Sequence, residues 1–94
     1  AEYVRAIAGL KRRAHAHDEI AQRQAQRLKL ALGKPRRIPA TLEDAQFLAA
    51  LRTSGEMVAP EVEEVTRLLH TLRGATTEEE LVKAAFAVDQ FLAR

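Results

Sequence analysis

The chain has 94 residues, enough for one small domain, and its four glycines and three prolines are too few for a turn-rich β fold. It contains no cysteine, which excludes disulfides, thiolate metal sites and cysteine nucleophiles. The net charge is +2, but residues 1–40 carry ten Lys/Arg and three Asp/Glu, whereas residues 41–94 carry five and ten. The net charge is therefore +7 for residues 1–40 and −5 for residues 41–94. Such polarity favours a basic face that meets a polyanion, or two halves that attract each other.

One long helix is predicted over residues 2–32, because good helix formers dominate this segment. Apolar and small residues spaced by three or four form a narrow line along it, and a second helix could pack against that line. Gly33 and Pro35 predict the end of the helix, with Gly33 as its C′ residue, and a connector over residues 33–40 follows. We call the line the helix-pairing seam; its members are Ile7, Leu10, Ala14, His17 and Ala21.

Three shorter helices are predicted over residues 41–53, 60–73 and 77–93. Thr41 offers an N-cap hydroxyl, and Pro60 suits a first helical position. Thr77 and Glu80 have the spacing of a capping box. Each segment also carries an apolar stripe at helical spacing. The predicted fold class is therefore all-α: a small four-helix array in which three shorter helices pack back on a long N-terminal helix, as a single domain over residues 1–94.

No catalytic, cofactor-binding or metal site is predicted. His15 and His17 are two residues apart and point in different directions on a helix, so they do not share a metal ion. Ser54 is the only serine and lies in a predicted turn. The glutamates at 61–64 and 78–80 fall in first turns of helices, where the helix dipole favours carboxylates without any catalytic role. We therefore predict a protein that is not an enzyme and uses no cofactor.

Basic residues are the strongest functional signal in the sequence. On the N-terminal helix they spread around the helix axis with few aromatics between them, which favours an anionic membrane surface over nucleic acid as the polyanion. A helix face that only contacts solvent is the default interpretation of these residues. The candidate lipid or polyanion contacts are Arg5, Lys11, Arg12, Arg13, Lys34, Arg36 and Arg37.

Three stretches carry a resemblance to a known family: EYVRAIAGLKRRA at 2–14, LGKPRRIPATLEDAQFLAAL at 32–51 and TEEELVKAAFAVDQFL at 77–92. Together they resemble the C-terminal tail of the bacterial membrane proteins that share domain of unknown function 4350. The resemblance implies a longer, membrane-anchored protein, with this piece on the cytoplasmic side of the inner membrane. It also implies a neighbourhood of membrane-associated AAA ATPases and von Willebrand-type partner proteins. It assigns no catalytic residue to this tail.

The functional prediction combines these observations. We expect a non-catalytic helical module that serves as a protein-interaction or assembly domain near the inner leaflet. One alternative is a nucleic-acid-binding domain that uses the basic N-terminal helix. Another is a homodimerisation module built on the helix-pairing seam.

Overall fold

The computed structural model describes the backbone of residues 2–94 and the side chains of residues 16–94. Within this range the protein is all-α, as predicted, and contains no strand. A short 3-10 helix at Lys34–Arg36 follows the first α-helix. The α-helices are α1 (Glu2–Gly33), α2 (Asp44–Ser54), α3 (Ala59–Gly74) and α4 (Glu78–Leu92). These bounds differ from the predicted ones by at most three residues, and the largest difference is at the start of α2.

The helices α1, α3 and α4 pack together, and α2 packs on α3. Helix α3 runs antiparallel to α1, since Glu61 near its start lies beside Leu32, whereas Arg73 near its end bonds to Gln22. Helix α4 runs parallel to α1, since its first residue Glu78 lies beside His17 and its Asp89 pairs with Arg27, later in α1. The expectation that all three shorter helices pack back on α1 is therefore only partly matched, because α2 packs mainly on α3. Helix α2 meets α1 only near the C-terminal end of α1.

The core lies between the C-terminal half of α1 and the three shorter helices. Small residues on α1, including Ala21 and the fully buried Ala25, bring α3 and α4 close to its backbone. The stripe predicted for α3 is buried in the structure. The largest fully buried side chains are Phe47, Leu28, Leu51, Leu69, Leu72, Val62, Val65 and Val88.

The end of α1 differs from the prediction. Gly33 is the last helical residue, with a right-handed φ of −83°, and the left-handed conformation occurs at Arg37, with φ 59°. The chain then folds back so that the Ile38 amide donates to the Gly33 carbonyl at 2.9 Å. A Cβ on Gly33 would lie 2.4 Å from the Ile38 oxygen and 3.0 Å from Phe47 Cε2. Glycine is thus needed at position 33 because Ile38 and Phe47 approach its backbone closely, and not because the backbone is left-handed there.

The start of α2 also differs from the prediction. Thr41 lies in a turn, in which the Leu42 amide donates to the Pro39 carbonyl at 3.3 Å, and the helix begins at Asp44. The N-cap position is occupied by Glu43, and no side chain caps the helix there. The first turn is instead fixed by cations that bind Asp44.

The start of α4 matches the predicted capping box. Thr77 occupies the N-cap, and its hydroxyl accepts a hydrogen bond from the Glu80 amide at 3.1 Å. The Glu80 carboxylate accepts from the Thr76 amide at 2.9 Å. In a standard capping box the glutamate would accept from the amide of the N-cap residue, Thr77, but here it accepts from the residue before it. The bond from the Thr76 amide lowers the pKa of the Glu80 carboxyl.

The close approach at Gly33 generates a stability prediction. Gly33→Ala forces a Cβ against a backbone oxygen and a buried ring, so we expect it to lower the free energy of unfolding by about 1–3 kcal/mol. Gly74→Ala is the matched control, because nothing lies within 4 Å of its Cβ. That variant should be unchanged or stabilised by about 0.5–1 kcal/mol. Urea denaturation measures both, and equal effects would contradict the packing of Gly33.

Candidate functional site

The described side chains include an ion cluster, which is formed by Lys29, Asp44 and Arg73. Lys29 Nζ lies 2.6 Å from Asp44 Oδ1 and donates to the Leu42 carbonyl at 2.9 Å. The Arg73 guanidinium donates to both Asp44 oxygens at 3.0 Å and also to the Gln22 side chain. The cluster therefore joins α1, α2 and α3 at a single carboxylate.

Burial and hydrogen bonding explain the electrostatics of this cluster. Lys29 is only 4% exposed, which is unusual for a lysine and requires a partner for its charge. Hydrogen bonds from Arg73 and then from Lys29 lower the pKa of Asp44 to about 2, against an opposing effect of burial. The same carboxylate raises the pKa of Arg73. The lowered pKa of Asp44 and the raised pKa of Arg73 keep both groups charged at neutral pH, so their contact is suited to holding helices together and not to proton transfer.

The candidate polyanion contacts fall into two sets. Arg5, Lys11, Arg12 and Arg13 lie outside the described side chains, so their contacts remain a prediction. Lys34 and Arg37 are exposed at the end of α1. Arg36 is half-buried: its Nη1 donates to the Leu32 carbonyl at 2.8 Å, and its Nε lies 3.3 Å from Glu56 without hydrogen-bond geometry. It is thus engaged within the fold, whereas its neighbours contact solvent.

The helix-pairing seam is only partly within the described side chains. Ile7, Leu10 and Ala14 lie outside them. Ala21 is buried in the core of the chain itself. His17 is half-buried and lines a groove between α1 and α4.

The lining of this α1–α4 groove is mostly apolar. Its volume is about 350 Å³. Three large apolar side chains remain exposed in or beside it: Ile20 at 41%, Val82 at 62% and Phe86 at 61%. The residues that line the groove are Ala16, His17, Ile20, Glu78, Leu81, Val82 and Ala85.

Sequence reasoning missed both the ion cluster and the groove. The groove had a readable signal, because Val82 and Phe86 are spaced i, i+4 on α4 and form a second apolar stripe outside the predicted inward one. The ion cluster left no such signal in the sequence. Lys29 is one of several cations on α1, and its burial depends on Asp44 and Arg73, which belong to other helices.

A second groove, of about 340 Å³, lies at the opposite end of the bundle beside Leu32, Met57 and Phe91. Two of the three charged residues that line it, Arg36 and Arg94, are paired within the chain. Arg94 makes two hydrogen bonds to Glu64, at 2.7 and 2.8 Å. We therefore do not propose it as the binding surface.

The described residues bring together few groups with catalytic potential. They contain no cluster of three or more His, Asp or Glu side chains that could hold a metal ion. The Ser54 hydroxyl donates to the Leu51 carbonyl at 2.7 Å, a local helix-end contact. None of the described helices is long and apolar enough to cross a membrane.

Comparisons of this chain with family models, with curated proteins and with solved structures found no match.

The ion cluster generates a pH-dependent stability prediction. Asp44→Asn removes the carboxylate that balances the buried Lys29, so we expect a loss of about 3 kcal/mol of unfolding free energy at pH 7. Because the pKa of Asp44 is lowered from 3.8 to about 2, its contribution is present above pH 3.8 and is lost as the pH falls toward 2. Chemical denaturation from pH 7 to pH 2 should therefore show the wild type approaching the variant at low pH.

Lys29→Met is the matched control for this experiment. It removes a buried charge but leaves Asp44 bound to Arg73, so the expected change is within about 1 kcal/mol. Wild type and Asp44→Asn curves that stay parallel down to pH 2 would contradict the role of the Asp44 charge.

Proposed function

We propose that the chain is a non-catalytic helical assembly module, and that its α1–α4 groove binds a helix of a second copy of this chain. The observation that carries the proposal is the exposure of Ile20 and Val82 in one groove, with the exposed Phe86 one helical turn after Val82 on α4. Exposed apolar side chains are unremarkable when scattered, but a contiguous group beside a groove is typical of a protein-interaction surface. A groove between two helices is suited to receive a third helix.

Charge favours a second copy as the occupant of the groove. Glu78 is the charged residue that lines the groove. The chain itself provides a basic helical segment, since residues 2–15 carry one acidic and four Lys/Arg residues among apolar ones. A helix with apolar anchors and positive flanks has the chemistry that this groove would bind.

The structural roles of the described polar groups support the non-catalytic part of the proposal. Asp44 balances a buried lysine, Glu80 completes a helix cap, and Glu64 binds Arg94. Each of these carboxylates is thus explained by a contact that stabilises the fold.

The location that we propose is the cytoplasmic side of a bacterial inner membrane, in a membrane-anchored protein. Support comes from the basic residues at the start of α1 and from the resemblance to the cytosolic tail of the membrane-protein family. Lysine and arginine near a membrane surface gain about 1 kcal/mol each from anionic lipid. The AAA ATPase system that the resemblance implies remains a candidate protein partner.

The assembly proposal is tested by placing charge in the groove. Val82→Glu with Phe86→Glu puts two carboxylates where apolar contact is proposed, so we expect self-association to weaken by about tenfold or more. Sedimentation velocity over a range of protein concentrations measures the association. Because both residues are exposed, the free energy of unfolding should change little.

Leu30→Glu and Val58→Glu are the matched controls. These residues are also exposed, at 52% and 61%, but they lie outside the α1–α4 groove. They should associate like the wild type. A wild-type chain that stays monomeric at about 200 µM, or equal weakening by groove and control variants, would refute the assembly proposal.

The membrane proposal predicts that vesicle binding depends on the cations at the start of α1. The triple variant K11Q/R12Q/R13Q should lose most of its binding to anionic vesicles in a pelleting assay, because each charge near the surface contributes about 1 kcal/mol. The variant R52Q/R67Q, altered at exposed cations of α2 and α3 that are not candidate lipid contacts, is the control. Equal binding to anionic and neutral vesicles would contradict the proposal, whereas salt-dependent binding to duplex DNA would favour the nucleic-acid alternative.

A further inference from the structure

We infer that α1 lies lengthwise on an anionic lipid bilayer, and that the C-terminal half of its outward side is part of the contact. The described residues that carry this inference are Arg23, Leu30 and Lys34, which we call the outer line. The inference rests on the proposed membrane location. It adds to that proposal a contact surface, an orientation and an apolar anchor.

Helical spacing places the outer line on one side of α1. Leu30 follows Arg23 by seven residues, and Lys34 follows it by eleven, which are about two and three helical turns. All three residues are exposed, Leu30 at 52%. Arg23 and Leu30 also line one hollow on the surface of α1. Asp18 and Glu19, which line a neighbouring hollow with Arg23, mark the N-terminal limit of this basic strip.

The outer line lies opposite the side of α1 that packs in the core. Ala25 and Leu28 are fully buried in the cluster that α1 shares with the shorter helices. Ala25 lies two residues after Arg23, and Leu28 lies two residues before Leu30. Residues two apart on a helix point in nearly opposite directions, since each residue turns the helix by about 100°. An extended partner surface can therefore meet the outer line along α1.

The two cations of the outer line are free to bind a partner. Arg27 also lies on this side, but it is bound to Asp89 and is not part of the outer line. Within the part of the chain whose side chains are described, neither Arg23 nor Lys34 makes an ion pair. Each lysine or arginine close to an anionic bilayer strengthens binding by about fivefold.

Leu30 favours lipid over nucleic acid as the polyanion. It is exposed between the two cations, and an aliphatic side chain in that position inserts below lipid headgroups while the cations bind them. The phosphate backbone of a duplex offers such a side chain no apolar partner. The outer line also contains no aromatic side chain that could stack on bases.

The same register continues toward the N-terminus in the sequence. Arg12 precedes Arg23 by eleven residues, and Arg5 precedes it by eighteen, which are about three and five turns. Helix α1 is unbroken from Glu2 to Gly33, so these positions share one side of its backbone, although their side chains lie outside the described ones. Two cations of the first turns and the outer line therefore meet the same bilayer when α1 lies parallel to it.

Neutralising the outer line tests the inference. R23Q/K34Q should bind vesicles of equal parts phosphatidylglycerol and phosphatidylcholine about 25-fold more weakly than the wild type, at about fivefold per charge. Leu30→Gln should weaken binding by about fivefold, because the apolar anchor is lost. The matched control R52Q/R67Q lowers the net charge by the same amount at exposed cations of α2 and α3. It should bind like the wild type.

A polarity-sensitive dye tests the orientation of α1. The chain has no cysteine, so Leu30→Cys and Thr71→Cys each provide a single labelling position. Thr71 is exposed and lines a hollow between α3 and α4. Anionic vesicles should shift the emission of the dye at position 30 to shorter wavelength and leave the dye at position 71 unchanged. Equal emission from the two positions would overturn the lengthwise contact.

The outcomes separate this inference from the membrane proposal. Equal binding by the outer-line variant and its matched control overturns the outer line as a contact. If the variant altered at residues 11–13 still loses vesicle binding in that case, the membrane proposal stands and only the lengthwise contact is wrong. A wild type that binds anionic and neutral vesicles equally overturns both. An outer-line variant that loses binding to duplex DNA but keeps vesicle binding overturns lipid as the partner of this surface.

Discussion

The Asp44 carboxylate is the point on which the arrangement of the helices depends. It balances Lys29, a buried cation of α1, and it binds Arg73 at the end of α3 through two hydrogen bonds. Asp44 is also the first residue of α2, so the same contact fixes where that helix begins. A buried ammonium without its partner is costly, and this cost ties α2 to one position at the junction of α1 and α3.

This position of α2 has a consequence for the rest of the surface. Helix α3 packs against α1, α2 and α4. Helix α4 has extensive contact only with α1 and α3. The outer flank of α4 therefore keeps Val82 and Phe86 exposed beside the groove. Because α2 is held at the ion cluster, an apolar surface is left open along α4, and the functional proposal rests on that surface.

Features set by local sequence were the ones that could be predicted. The helical class follows from propensity and periodicity, and the Thr77 cap follows from a hydrogen bond to a residue three positions away. Gly33 was misread because its requirement comes from Ile38 and Phe47, which approach only in the folded chain. The start of α2 was misplaced because it is set by contacts between helices and not by a hydroxyl cap.

The proposed interface joins a basic helical segment and an acid-edged apolar groove of the same chain. Its central claim is therefore that the protein associates with itself. Light-scattering measurement of the molar mass against concentration tests this most directly. Self-association predicts a mass that rises from 10.5 kDa toward twice that value as the concentration increases. A mass that stays at 10.5 kDa throughout the range would contradict it.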